Sequence, residues 1–169
     1  MIGGFGARLH GSPTVTNDLD LCYDRSRPNL DAMARALVEL GARLRGAPPD
    51  VPFLLDTRTL IAGDHFTFVT EAGGLDILGT PSGASGFEDL DRTAVEMDLD
   101  GLKVRVASID DLISMKQAAG RPKDLIEVEV LGALREEIDA RAPRRKRGGP
   151  RNGPKEAERR PQASATRAN

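Results

Sequence analysis

The chain has 169 residues, with 24 Lys and Arg against 26 Asp and Glu and a net charge of −2, a length that accommodates one compact domain and excludes a second full one. No run approaches the roughly 18 uninterrupted apolar residues that span a bilayer, and Met1-Ile2-Gly3-Gly4 lacks the charged-then-apolar pattern of an export signal. The single cysteine, Cys22, excludes an intramolecular disulfide and a cysteine-based zinc site, so the expected setting is the reducing cytoplasm.

In chain order, Asp18-Leu19-Asp20-Leu21 alternates polar and apolar residues with the period of a half-buried strand. Leu30, Met33, Ala34 and Leu37 recur at helical spacing between Pro28 and Gly41, the positions of helix entry and exit. Residues 42–52 hold Gly46, Pro48 and Pro49 and read as a loop. His65 to Thr70 and Leu75 to Leu78 read as strands separated by Ala72-Gly73-Gly74, and a second hairpin over Val95–Leu99 and Leu102–Val106 turns at Asp100-Gly101. Ser108-Ile109-Asp110-Asp111 has the form of a capping box that starts a helix ending near Gly120, and Pro122 opens a last helix to about Ala140.

From residue 141 the charge reverses. Residues 141–169 contain ten Lys or Arg and two Asp or Glu, which leaves fourteen and twenty-four for residues 1–140. This tail has no Val, Ile, Leu, Phe, Tyr or Met, so it cannot bury enough apolar surface to offset its ordering entropy and is expected to be a disordered basic extension of a domain over residues 1–140. It can neutralise phosphates but carries no aromatic residue for base stacking.

Three features point to chemistry. Residues two apart on a strand share a face, so Asp18 and Asp20 aim their carboxylates at one region, where a hard cation such as Mg²⁺ would relieve their repulsion; an edge strand using inward charges against aggregation is the alternative. Gly3-Gly4 lies upstream, and glycine lets backbone N–H groups approach a phosphate closely. Asp76 sits between Leu75 and Ile77 in an otherwise apolar strand, where an unpaired carboxylate is costly. On the capping-box helix, Lys116 shares a face with Ile109, Leu112 and Ile113, which suits a contact to a ligand phosphate, a snorkelling side chain or a salt bridge at the edge of the core. His10 and His65 have no ligating partners at metal spacing and read as structural, or His10 at most as lining the cleft, and Cys22 reads as a small buried hydrophobe.

Together, Ile2-Gly3-Gly4, a thirteen-residue spacer, Asp18-Leu19-Asp20-Leu21, and Gly74-Leu75-Asp76-Ile77-Leu78 resemble the nucleotidyltransferase superfamily typified by polymerase beta. His10-Gly11-Ser12-Pro13 and Lys116 with Gly120-Arg121-Pro122-Lys123-Asp124 make the small bacterial members related to abortive-infection and toxin-antitoxin nucleotidyltransferases the nearer likeness, over about residues 2–135. The resemblance implies an α+β fold, a mixed β-sheet with packed helices. It also implies two Mg²⁺ ions on Asp18, Asp20 and Asp76 as metal ligands and catalytic residues, and nucleotide contacts from Gly3, Gly4, Ser12, Lys116, Lys123 and Asp124. Lys123 and Asp124 also suit an ordinary first helical turn, and Ser12-Pro13 an ordinary loop turn.

The implied reaction moves a nucleoside monophosphate from a nucleoside triphosphate to an acceptor hydroxyl, with RNA such as a transfer RNA 3′ end favoured by the basic tail and an antitoxin protein as a further partner. The alternative is a non-catalytic nucleotide- or nucleic-acid-binding remnant of that fold; a purely structural interaction module would not bring the three aspartates together. Two departures stand out: position 14 is Thr14 where relatives often carry a basic residue, and the helix and strand that lead into the Gly-Gly turn are expected to be missing ahead of Met1-Ile2, whether through an internal start in a longer reading frame or a truncated gene.

Overall fold

A computed structural model describes residues 1–48 and 53–141. Among these residues the chain is a mixed α+β fold with six helices and two sheets. In order they are α1 (Gly3–Leu9), β1 (Asp18–Cys22), α2 (Arg27–Glu39), β2 (Arg43–Leu44), α3 (Thr57–Ala62), β3 (His65–Thr70), β4 (Gly73–Leu78), α4 (Phe87–Thr93), β5 (Val95–Leu99), β6 (Leu102–Val106), α5 (Ile109–Ala119) and α6 (Pro122–Arg141). Of the tail expected as disordered over residues 141–169, Arg141 instead closes α6, and residues 142–169 lie outside the described residues, as do residues 49–52 of the expected loop.

The main sheet runs β1-β4-β3-β2 and is mixed, because β1 lies parallel to β4 while β4, β3 and β2 are antiparallel in turn. Its period-two alternation divides two cores. Leu19, Leu21, Phe66, Phe68, Leu75 and Ile77 face α2 and α3, packing with Leu30, Ala34, Leu37 and Leu60. A second core joins Ile2 and Ala7 to Leu90, Leu112, Met115 and Leu131 from α4, α5 and α6, with Cys22 and Leu78 packed against it. The carboxylates of β1 and β4 therefore lie on the sheet face away from α2 and α3.

Local signals explain most of the elements. Pro28 lies in the first turn of α2, the Ser108 hydroxyl accepts from the Asp111 amide at 3.1 Å, and Gly120 ends α5 in the left-handed conformation at φ 64°. The β5–β6 hairpin turns at Asp100-Gly101 but forms a sheet of its own instead of extending the main one. It is tied back through Met1, whose carbonyl accepts from the Ala107 amide at 2.9 Å, while the Ile2 amide donates to the Asp20 carbonyl at 3.0 Å.

Four elements differ from the sequence reading. Gly3-Gly4, expected as a turn, opens the helix α1; α3 and α4 were not expected; and the loop after α2 includes the two-residue strand β2. The new helices have six or seven residues, too short to show a full apolar stripe. α3 does carry a legible start, since Asp56 accepts from the Thr59 amide at 2.8 Å. No helix among the described residues is long and apolar enough to cross a membrane.

Candidate functional site

Parallel pairing sets the core of the site. Asp18 is the register partner of Gly74, and Asp20 that of Asp76, so three carboxylates from two adjacent strands occupy one sheet face. Gly3 packs directly on this group: its φ is 64°, and a Cβ there would stand 2.0 Å from Asp20 Oδ2. Gly4 is equally confined, with a Cβ position 2.9 Å from Thr16 Cβ. The two glycines let the start of α1 close over Asp20, which is a packing reason for residues the sequence suggested as phosphate contacts.

The electrostatics are those of crowded like charges. Burial, with Asp18 and then Asp76 as like-charged neighbours, pushes the Asp20 carboxyl up to about 6, against the opposing pull of Lys116 and the Gly4 backbone N–H. Burial also raises Asp76, opposed by the Arg45 guanidinium beside it. Arg45, which follows β2, reaches over the sheet with Nη2 2.8 Å from Asp76 Oδ1 and Nη1 3.6 Å from Asp18 Oδ2. The other oxygen of Asp18 accepts from the Thr16 hydroxyl at 2.9 Å.

Across from the carboxylates, α5, α6 and the turn between them supply a wall of paired charges, Lys116 and Arg121 with Asp124 and Glu127. Lys116 Nζ is 3.3 Å from Asp124 Oδ1 and 2.5 Å from Glu127 Oε2, and Arg121 holds Asp124 through Nε at 2.5 Å and Nη2 at 3.1 Å. Asp124 is fully buried, and its hydrogen bonds from Arg121, followed by the Lys116 charge, hold its carboxyl below the usual range. Oε1 of Glu127 is buried without a hydrogen-bond partner among the described residues. A cleft of about 390 Å³ is walled by Gly3, Asp20, His65, Asp76, Lys116 and Arg121. A second recess of about 270 Å³ shares Asp20, Asp76, Lys116 and Arg121 with it and adds Gly4, Asp18 and Lys123.

The structure thus brings Gly3, Gly4, Asp18, Asp20, Asp76, Lys116 and Lys123 around one cleft. Asp124 stands behind it, engaged with Lys116 and Arg121. Ser12 lines neither recess: it is buried, with its hydroxyl 2.9 Å from that of Thr14 and its amide on the Ala7 carbonyl. His10 is structural, its Nε2 donating to the Ala107 carbonyl at 2.8 Å, whereas His65, also read as structural, lies at the cleft.

Arg45, Arg121, Glu127 and Thr16 were not singled out from the sequence as site residues. Arg121 and Glu127 flank Asp124 at helical spacing and were detectable beside it. Nothing local marks Arg45, which reaches the site only through the pairing of β2 with β3. Among the described residues no group of three His, Cys, Asp or Glu side chains is drawn together tightly enough to hold a metal ion. No family model matches the chain, and no curated protein matches it.

Proposed function

We propose that the chain is a metal-dependent nucleotidyltransferase that moves a nucleoside monophosphate from a nucleoside triphosphate to an acceptor hydroxyl, with RNA as the favoured acceptor class. The observation that carries the reading is the convergence of Asp18, Asp20 and Asp76 on one sheet face, opposite Lys116 and Arg121 in a shared cleft. A row of carboxylates facing cations suits a ligand that brings both metal and phosphate.

In ligand type, though not in their spacing within the fold, the three carboxylates suit Mg²⁺, since they supply only hard oxygen donors, and the upward shift of Asp20 reflects its burial beside two like charges. Asp18, Asp20 and Asp76 would hold the metal, which when bound neutralises charge developing on the transferring phosphoryl group. Lys116, Arg121 and Lys123 would steady the triphosphate, and Asp124 would keep Lys116 and Arg121 in place. The acceptor oxygen forms its bond to the α-phosphorus as the bond to pyrophosphate breaks, and the hydroxyl proton passes toward Asp76, whose raised affinity for a proton suits that role. Gly3 and Gly4 would serve by letting the start of α1 pack on Asp20 and Thr16, whose side chains fill the space beside them. In this reading the chain acts as a toxin of the toxin-antitoxin or phage-defence kind, with an antitoxin protein as its partner.

A second reading, a protein that binds a nucleotide or nucleic acid without turnover, is favoured by Arg45, which already neutralises Asp18 and Asp76 in the fold. The two separate on chemistry. With α-phosphate-labelled nucleoside triphosphates, total RNA and Mg²⁺, the expected result is label in RNA, reduced about 100-fold or more in Asp18→Asn and Asp20→Asn. Full activity in either variant overturns the catalytic scheme; nucleotide binding without pyrophosphate release supports the second reading. Label on a protein or a small molecule instead of RNA retains the transferase and replaces its acceptor.

A further inference from the structure

The Arg45 side chain has an unusual path. Its backbone is fixed at the sheet edge, where its amide donates to the Thr67 carbonyl at 2.9 Å, yet its guanidinium lies over β4. There Nη2 is shared between the Phe68 carbonyl at 3.3 Å and Asp76 Oδ1 at 2.8 Å. Gly74 makes the passage: a Cβ at that position would stand 2.9 Å from Arg45 Nη2 and 3.2 Å from Asp18 Cβ. A side chain on Gly74 would crowd the route by which the guanidinium reaches Asp18, the register partner of Gly74.

With Arg45 in place, both oxygens of Asp18 are engaged, Oδ1 by Thr16 and Oδ2 by Arg45, and Asp76 Oδ1 is engaged as well. A cation binding to these carboxylates has to compete with the guanidinium for the same oxygens. The two pairs are unequal. Arg45 and Asp18, 3.6 Å apart, are 39% and 37% exposed, and an ion pair so open to water is weak. Asp76, at 2.8 Å, is 14% exposed and holds the guanidinium more firmly, so a cation meets the least resistance at Asp18. Arginine is well suited to hold such a place, since its charge does not titrate away and its planar fork spans two carboxylates at once.

We propose that Arg45 is a displaceable internal cation, a positioning residue that holds Asp18 and Asp76 together in the metal-free protein and yields them to a divalent ion. The inference rests on the reading of these aspartates as metal ligands. In consequence metal loading is coupled to movement of Arg45, and the affinity for metal is set below what the carboxylates alone would give.

The test is calorimetric titration of the full chain with Mn²⁺ alone, in wild type, Arg45→Gln, Arg45→Lys and Asp20→Asn, with unfolding temperatures in metal-free and Mn²⁺-saturated buffer. Arg45→Gln should bind Mn²⁺ roughly fivefold to tenfold more tightly than wild type, with Arg45→Lys between them. Arg45→Gln should unfold at a lower temperature than wild type without metal and gain more from Mn²⁺, a crossing that a purely structural arginine would not produce. Unchanged or weaker Mn²⁺ binding in Arg45→Gln, with wild-type binding abolished in Asp20→Asn, overturns this inference and leaves the metal-dependent reading standing. Absence of Mn²⁺ binding in every protein overturns both. If Arg45→Gln does not fold, the Arg45→Lys affinity decides, and a value equal to wild type overturns the proposal.

Discussion

Asp20 carries opposing demands. The folded protein holds its carboxyl at about 6 against an ordinary value of 3.8, through burial and the charges of Asp18 and Asp76. Between about pH 4 and pH 6 the folded state therefore binds more protons at this residue than the unfolded state does, so stability falls as pH rises and the penalty is complete above pH 6. Asp20→Asn removes the penalty while preserving the shape of the side chain. In metal-free buffer at pH 8 the variant is expected to unfold about 3–5 °C above wild type, with the difference vanishing near pH 4. Equal unfolding temperatures at pH 8 would show that Asp20 is already neutralised in the apo fold. Under the proposed function, the substitution that stabilises the fold is also the one that abolishes transfer, an opposition expected where like charges are gathered for a ligand.

At the scale of elements, α5 and α6 are clamped together by two cations and two buried carboxylates. Lys116 leaves the apolar stripe of α5 and meets Asp124 and Glu127 from α6, and Arg121, just ahead of α6, closes on Asp124 from outside. The sign of its pH dependence is opposite to that of Asp20: hydrogen bonds from Arg121 lower the Asp124 carboxyl, so its contribution is present above the ordinary carboxylate range and is lost as pH falls through the lowered value. Asp124→Asn is expected to cost about 1–3 kcal/mol at pH 7 by urea unfolding, and to converge on wild type only as pH falls below the ordinary carboxylate range. A variant as stable as wild type at pH 7 would mean that Glu127 alone holds Lys116.

Periodicity in the sequence was enough to find this clamp's two helices, the strand pair bearing the aspartates and both hairpins, because each rests on a local pattern of apolar residues, caps or turn residues. The pattern of α5 also placed Lys116 at the edge of the core, and of the alternatives read for it the salt bridge is the one present, to Asp124 and Glu127 of α6, in a lysine that also lines the cleft. Arg45 was not legible, since its role depends on β2 lying beside β3 and on a glycine in β4. Such a contact between residues 45, 18 and 76 leaves no trace in local spacing. Ser12 shows the converse: its neighbourhood in sequence suggested a ligand contact, but the chain turns its hydroxyl to Thr14.

The whole chain is an electrostatic composite, with residues 1–140 carrying a net charge of −10 and residues 141–169 carrying +8. An acidic body on its own repels a polyanion beyond the short reach of the cations in its cleft wall, so an RNA acceptor would have to be drawn in by the terminal segment. Arg144, Arg145, Lys146 and Arg147 form its densest run. If they contact phosphates, each contact releases counterions, and the dependence of affinity on salt measures their number. Replacing all four with Gln is expected to raise KM for RNA and to flatten the slope of log affinity against log salt by about 3. KM for the nucleoside triphosphate and kcat should stay as in wild type, because none of the residues that line the cleft is altered. The measurement is a series of transfer assays from low to moderate salt with RNA as the varied substrate. An unchanged slope would exclude the run from RNA contact and move the search for the acceptor toward an uncharged hydroxyl compound or a protein. A matching fall in kcat would place the segment in the catalytic step instead of in capture.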